Sequence, residues 1–165
     1  AALERRITSI LELHTVEYVY RDVVYFGEQK HLLGLLRTRD RRVLFAVRIR
    51  VRAGIDLSKG VEVLRDADDA ERVVVRLASP EILDVDVDET SIEQFFVRER
   101  GGSIEWDQVS NQMEEVKERV RRDAVDGGIL PRAEDNAARL IRELMSITGF
   151  TDITIQVRPP EELKG

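Results

Sequence analysis

Two runs of like charge at strand spacing are the first places in this chain where chemistry could reside. Arg48, Arg50 and Arg52 alternate with Ile49 and Val51, and Asp84, Asp86 and Asp88 alternate with Val85 and Val87. Alternate residues of a strand share a face, so each run would place three like charges side by side. Three guanidiniums in a row could hold an anionic ligand or a lipid headgroup, which makes Arg48, Arg50 and Arg52 candidate binding residues. The competing reading is structural. Residues 37–52 hold seven Arg and one Asp, whereas residues 81–93 hold six carboxylates and no base. On neighbouring strands, each Arg opposite an Asp would contribute roughly 0.2–1 kcal/mol and help to set the register. We expect this second arrangement.

Other candidates have weaker patterns. The Asp84-Val-Asp-Val-Asp88 run opens like a calcium loop. Such a loop needs Gly at its sixth position and Glu at its twelfth, where this chain has Glu89 and Phe95. The alternating valines also point to a strand. Asp56 follows Gly54 at an expected turn. It could act as a catalytic carboxylate with Glu17 or Glu81, but an Asp so placed more often accepts N–H groups of its own turn. His14 and His31 form no zinc-binding spacing. Gly101-Gly102 lacks a phosphate-loop context, and no Gly-x-Ser-x-Gly element is present. Cysteine is absent, which removes disulfides, thiolate metal sites and cysteine nucleophiles together. No catalytic residues, metal or cofactor are expected.

Composition narrows the class further. The 165 residues are 42% hydrophobic and 35% charged, with a net charge of −6. This length supports one domain with a real core, here expected over residues 1–165. An acidic chain is a poor match for nucleic acid, whose phosphates call for a basic surface. For the same reason Trp106 and the set Tyr18, Tyr20 and Tyr25 are expected in core or rim positions. No run approaches the roughly 20 apolar residues of a membrane span.

Periodicity supplies the elements that would position these residues. Leu3, Ile7, Ile10 and Leu11 share one helical face, so an N-terminal helix is expected over 1–13. That helix either packs on the domain or continues an upstream anchor segment. A strand is expected over 15–26, and Thr38 to Arg42 reads as a polar turn. From Val43 to Arg52 the period is two, with Val43, Phe45, Val47, Ile49 and Val51 on one side, and Gly54 is expected to break the run. Short strands follow at 61–64, 72–77 and 82–87. Residues 91–97 read as one helical turn. Two helices come next. The first spans about 107–125 on Val109, Met113, Val116 and Val120, and Gly127-Gly128 ends it. The second spans about 132–147 on Ala133, Ala137, Leu140, Leu144 and Ile147, with Pro131 in its first turn and Gly149 as its cap. A closing strand carries Ile153, Ile155 and Val157 and stops at Pro159-Pro160. The order predicts an α+β fold: a mostly antiparallel sheet, an N-terminal helix, and two consecutive C-terminal helices on one face.

Several segments of the chain also resemble one family in order and spacing. Leu11-Glu-Leu-His-Thr-Val-Glu-Tyr-Val-Tyr20 is similar to its Leu-x-Thr-x-Glu-Tyr opening. Val51-Arg-Ala-Gly-Ile-Asp-Leu-Ser58 is similar to its Val-x-Ala-Gly-Ile-Asp-Leu-Ser element. Val75-Arg-Leu-Ala-Ser-Pro-Glu-Ile-Leu83 resembles its Leu-Pro-x-x-Glu-Ile-Leu corner, with Ala78-Ser79 before the proline here. Gly128-Ile-Leu130, Ala133, Asn136-Ala-Ala138 and Gly149-Phe150 resemble its C-terminal pattern. On these residues the chain resembles the DUF4230 family. The resemblance implies a bacterial domain that follows a hydrophobic anchor, and it carries no catalytic residue set.

The expectation for function is a non-enzymatic, membrane-anchored, extracytoplasmic domain that binds a protein partner or self-associates. A second expectation is an oligomeric membrane-proximal scaffold resembling the band-7 class, by fold-level analogy through the helix–Gly–strand segment Ala137–Val157. A third is a small-ligand-binding protein or hydrolase, which would show a pocket with convergent polar groups and displaced pKa values. A cytoplasmic location is the alternative to the envelope.

Overall fold

A computed structural model describes residues 12–32, 36–100 and 106–158. Strand β1 is Glu12–Leu32 and β2 is Leu36–Asp56, followed by a 3-10 turn at Leu57–Lys59. Then come β3 (Val61–Arg65), β4 (Arg72–Ala78) and β5 (Glu81–Arg100). Helices α1 (Trp106–Asp126) and α2 (Ile129–Ile147) precede the final strand β6 (Asp152–Arg158). The fold is α+β and mostly antiparallel, as the order of elements predicts. It has two three-stranded sheets, ordered β1-β2-β5 and β3-β4-β6, where a single sheet was expected.

Four local expectations are corrected. Thr38 to Arg42, expected as a polar turn, lies inside β2, with Asp40 and Arg41 buried and Arg42 2.8 Å from Asp40. Most of the helix expected over 1–13 lies outside the described residues, but Glu12 and Leu13 open β1. The two described helices are both C-terminal to β1–β5. Residues 91–97 continue β5 instead of forming a helical turn. Gly54 does not break β2, which runs on to Asp56. A Cβ there would lie 2.0 Å from the Leu13 carbonyl oxygen and 2.9 Å from Leu83 Cδ1. The glycine permits a close backbone approach inside a continuing strand.

Tertiary contacts gather into two compact units, and β1, β2, β5 and α1 each give residues to both. The described part of the first is residues 12–18, 52–84 and 125–158. In its sheet β3 pairs antiparallel with β4, and β4 pairs parallel with β6. The register sets Val63 opposite Val75 and Val75 opposite Ile155, an apolar row on one face. The other face carries Glu62, Arg76 and Gln156 in one row. The core holds Ile55, Val73, Val75, Leu77, Ala78 and Ala137, with Ile141, Met145 and Phe150 packed against it. Small residues on α2, Ala133 and Ala137, are fully buried, which lets the helix backbone come close.

Helix α2 is bounded by glycine at both ends. Gly128 sits in the left-handed region at φ 79° and separates α2 from α1. At the far end, Phe150 N–H donates to the Met145 carbonyl and Gly149 N–H to that of Ser146. This is the Schellman pattern, which satisfies the last carbonyls of a helix. Met145 and Phe150 supply its apolar contact within the core.

The described part of the second unit is residues 19–32, 36–51, 85–100 and 106–124. Val43, Phe45, Val47, Ile49 and Val51 are all buried, as the period of two requires. Val116, Val120 and Ala124 of α1 are buried too. Arg119 on α1 donates to the Asp22 carboxylate on β1.

Candidate functional site

The arginine run and the aspartate run meet across β2 and β5. Arg48 lies 3.4 Å from Asp88, Arg50 3.3 Å from Asp86, and Arg52 donates to Asp84 at 2.8 Å. The partner number falls by two as the Arg number rises by two, the mark of an antiparallel register. Each candidate Arg therefore has a carboxylate partner of its own.

Arg52 belongs to the first unit and makes a second contact. Its Nε donates to Glu17 at 2.8 Å, so one guanidinium on the middle strand bonds to carboxylates on both flanking strands. His14, Thr15, Val16, Glu17 and Arg52 line a hollow of about 490 Å³. The His14 ring nitrogen Nε2 lies 2.9 Å from the carboxylate of Glu12. This hollow brings a histidine, a glutamate and an arginine together. It is bounded by side chains already engaged with one another.

Asp56 caps its own turn. Its Oδ1 accepts the Ser58 N–H at 2.9 Å and also the Ser58 hydroxyl. The carboxylates weighed as its partners are committed elsewhere, Glu17 to Arg52 and Glu81 to Lys59. The side chains of His31 and Trp106, and residues Gly101 and Gly102, lie outside the described residues. Tyr18 donates to the Gly127 carbonyl at 3.4 Å, and Arg132 stands over its ring.

In the second unit, Ser91 shapes β5 beside the ladder. Its hydroxyl accepts the Arg48 N–H at 2.8 Å and donates to the Asp88 carbonyl at 2.6 Å. A side chain thus takes a bond that backbone would otherwise supply. Arg21, Val47, Arg48, Ser91 and Glu93 border a hollow of about 300 Å³ here, and Arg21 pairs with Glu93 at 2.7 Å.

The displaced protonation equilibria all favour ordinary charged forms. The Thr90 hydroxyl, bonded to the Asp88 carboxylate, lowers that group's pKa, with help from Arg48 and Arg50. The hydrogen bond to Glu81 raises the Lys59 pKa, and the one to Asp22 raises that of Arg119. These are the shifts of structural ion pairs, and they leave the charges fixed near neutral pH.

Sequence periodicity did not identify the exposed apolar side chains. Phe95, Phe96 and Val97 on β5 are 58%, 43% and 48% exposed, and Val19, Val23 and Tyr25 on β1 are exposed as well. A signal for the first group was present: three consecutive apolar residues on a strand put apolar surface on both faces. Among the described residues, no group of three or more His, Asp or Glu is placed to hold a metal ion. No described helix is long and apolar enough to cross a membrane.

A family model described as "Protein of unknown function (DUF4230)" matches residues 5–155. Among the curated proteins and among the solved structures, nothing matches the chain.

Proposed function

We propose that this chain, which belongs to the DUF4230 family, is a non-enzymatic assembly domain displayed at a membrane on the extracytoplasmic side. The observation that carries the assembly part is the exposed run Phe95-Phe96-Val97 on β5. Exposed apolar surface of this kind marks interaction sites, and covering it is worth about 25 cal/mol per Å². β5 and β1 are the outer strands of the order β1-β2-β5, and outer strands present backbone groups for pairing with a further strand. The ion-paired state of Arg48, Arg50 and Arg52 supports a structural role for the ladder. An anionic-ligand role would require the carboxylates to be displaced.

Display at a membrane rests on what the family resemblance implies. Cell fractionation with external protease on intact spheroplasts tests it. The domain should pellet with membranes and be digested from outside; a soluble, protected domain would refute this part. Chemical cross-linking of the full chain tests the assembly part, which would be contradicted if only monomer were recovered. The band-7-like scaffold reading draws on one specific feature, the passage from α2 through Gly149 into β6, and it too requires self-association.

A further inference from the structure

In the second unit, the sheet formed by β1, β2 and β5 has one covered face and one open face. Helix α1 covers the first. Arg119 on α1 donates to Asp22, and Val24, two residues on and so on the same side of β1, is buried. The odd-numbered residues of β1 therefore point away from α1. Val19, Val23 and Tyr25 are accordingly 59%, 54% and 57% exposed.

The Arg21–Glu93 ion pair at 2.7 Å joins β1 to β5 on this open side, with β2 as the strand between them. Phe95 and Val97 follow Glu93 with a period of two, so they share its face, while Phe96 points the other way. Arg48 borders the same hollow as Arg21 and Glu93, and Asp88 is its partner. On β5 the open face thus passes from even residues, Asp86 and Asp88, to odd ones, Glu93 and Phe95. The change falls at Ser91, whose hydroxyl takes the Arg48 N–H in place of a backbone carbonyl, as at a bulge. Without that shift Phe95 would turn to the side that α1 covers.

The charges on this face indicate what packs on it. The three guanidiniums each face a carboxylate: Arg21 with Glu93, Arg48 with Asp88, and Arg50 with Asp86. Their sum is zero, on a chain whose net charge is −6. A strongly anionic or cationic partner would find no unmatched charge among these groups. A second copy does fit. Two acidic chains repel one another overall, whereas here apolar side chains can meet their own kind with no surplus of like charge between them. From Val19 to Tyr25 is about 20 Å along the strand, and from β1 to β5 about 10 Å across. A face of this size lies at the small end for stable complexes, so the association is weak and depends on concentration.

We propose that two copies of this chain pack their open β1-β2-β5 faces together about a twofold axis, burying Val23, Tyr25, Phe95 and Val97 of both. A patch that meets itself in this way closes as a dimer, with sheets stacked face to face. The proposal rests on the assembly reading and narrows it from the β5 run to a sheet face shared by β1 and β5.

Sedimentation velocity over a concentration series tests it on the full chain and three variants: Val23→Ser with Tyr25→Ser, Phe95→Ser, and Phe96→Ser. The substituted side chains are exposed, so unfolding midpoints should stay close to that of the parent. The parent should approach dimer mass as concentration rises. The β1 double variant and Phe95→Ser should each weaken association about tenfold or more, while Phe96→Ser should associate like the parent. If the β1 variant fails to fold, Phe95→Ser beside Phe96→Ser reads the same contrast from β5 alone. Phe96→Ser as damaging as Phe95→Ser, a folded β1 variant that associates like the parent, or growth beyond the dimer would overturn the face-packed dimer and leave the assembly reading standing. A parent that stays monomeric at every concentration would overturn both.

Discussion

Arg52 and Arg76 hold corresponding places in the two sheets. Each lies on a middle strand and bonds to side chains on both flanking strands: Arg52 to Glu17 and Asp84, and Arg76 to Glu62 and Gln156. Arg72 repeats the theme at the end of β4, 2.8 Å from Asp152. The planar guanidinium, with several donors, suits such bridging. Replacing Arg48 and Arg50 together with Gln should destabilise the fold by about 0.2–1 kcal/mol per pair. The loss should shrink at high salt, and urea titrations at two ionic strengths would measure it. Asp88 adds a pH dependence. Its pKa is lowered in the folded state, so its contribution is full above the ordinary carboxylate value of about 4 and is lost as pH falls through the lower folded value. Unfolding midpoints from pH 7 down into the acid range should fall less steeply in Asp88→Asn than in the parent. Equal slopes would show that Asp88 adds nothing.

At the scale of elements, the most legible part of the sequence was the strand with a period of two. Val43 to Val51 alternate in sequence and lie buried in the structure, because one face of β2 is core. The charge runs were legible for the same reason, since opposite charges at matching spacing admit one register. The glycine in β2 was not legible. A glycine in a strand signals either a break or a close approach, and only the Leu13 carbonyl reveals which applies at Gly54. Gly54→Ala should therefore cost about 1–3 kcal/mol or more in a denaturant titration, through forced movement of β1. The α2 pattern was half legible. Ala133 and Ala137 are buried as expected, but Leu140, Leu144 and Ile147 are exposed. The helix is apolar over a wide arc, and sequence periodicity cannot show which edge of that arc the sheet will use. Residues 91–97, Ser-Ile-Glu-Gln-Phe-Phe-Val, have no clean period of two, so their place in β5 was not legible from the sequence. Ser91 binds the Arg48 N–H and carries β5 onward.

For the molecule as a whole, two compact units share four elements, and β5 supplies the exposed aromatic run. Changes to exposed residues usually shift stability by less than about 0.5 kcal/mol. Phe95→Ser with Phe96→Ser should therefore leave the unfolding midpoint nearly unchanged while weakening association. The candidate site could not be read from sequence at this scale, because exposure depends on what the fold leaves uncovered. The most direct measurement is sedimentation velocity of the full chain over a range of concentrations, beside the Phe95→Ser, Phe96→Ser variant. Assembly through β5 predicts a parent that sediments faster as concentration rises and a variant that stays monomeric. A parent that is monomeric throughout, or a variant that associates as strongly as the parent, would contradict it.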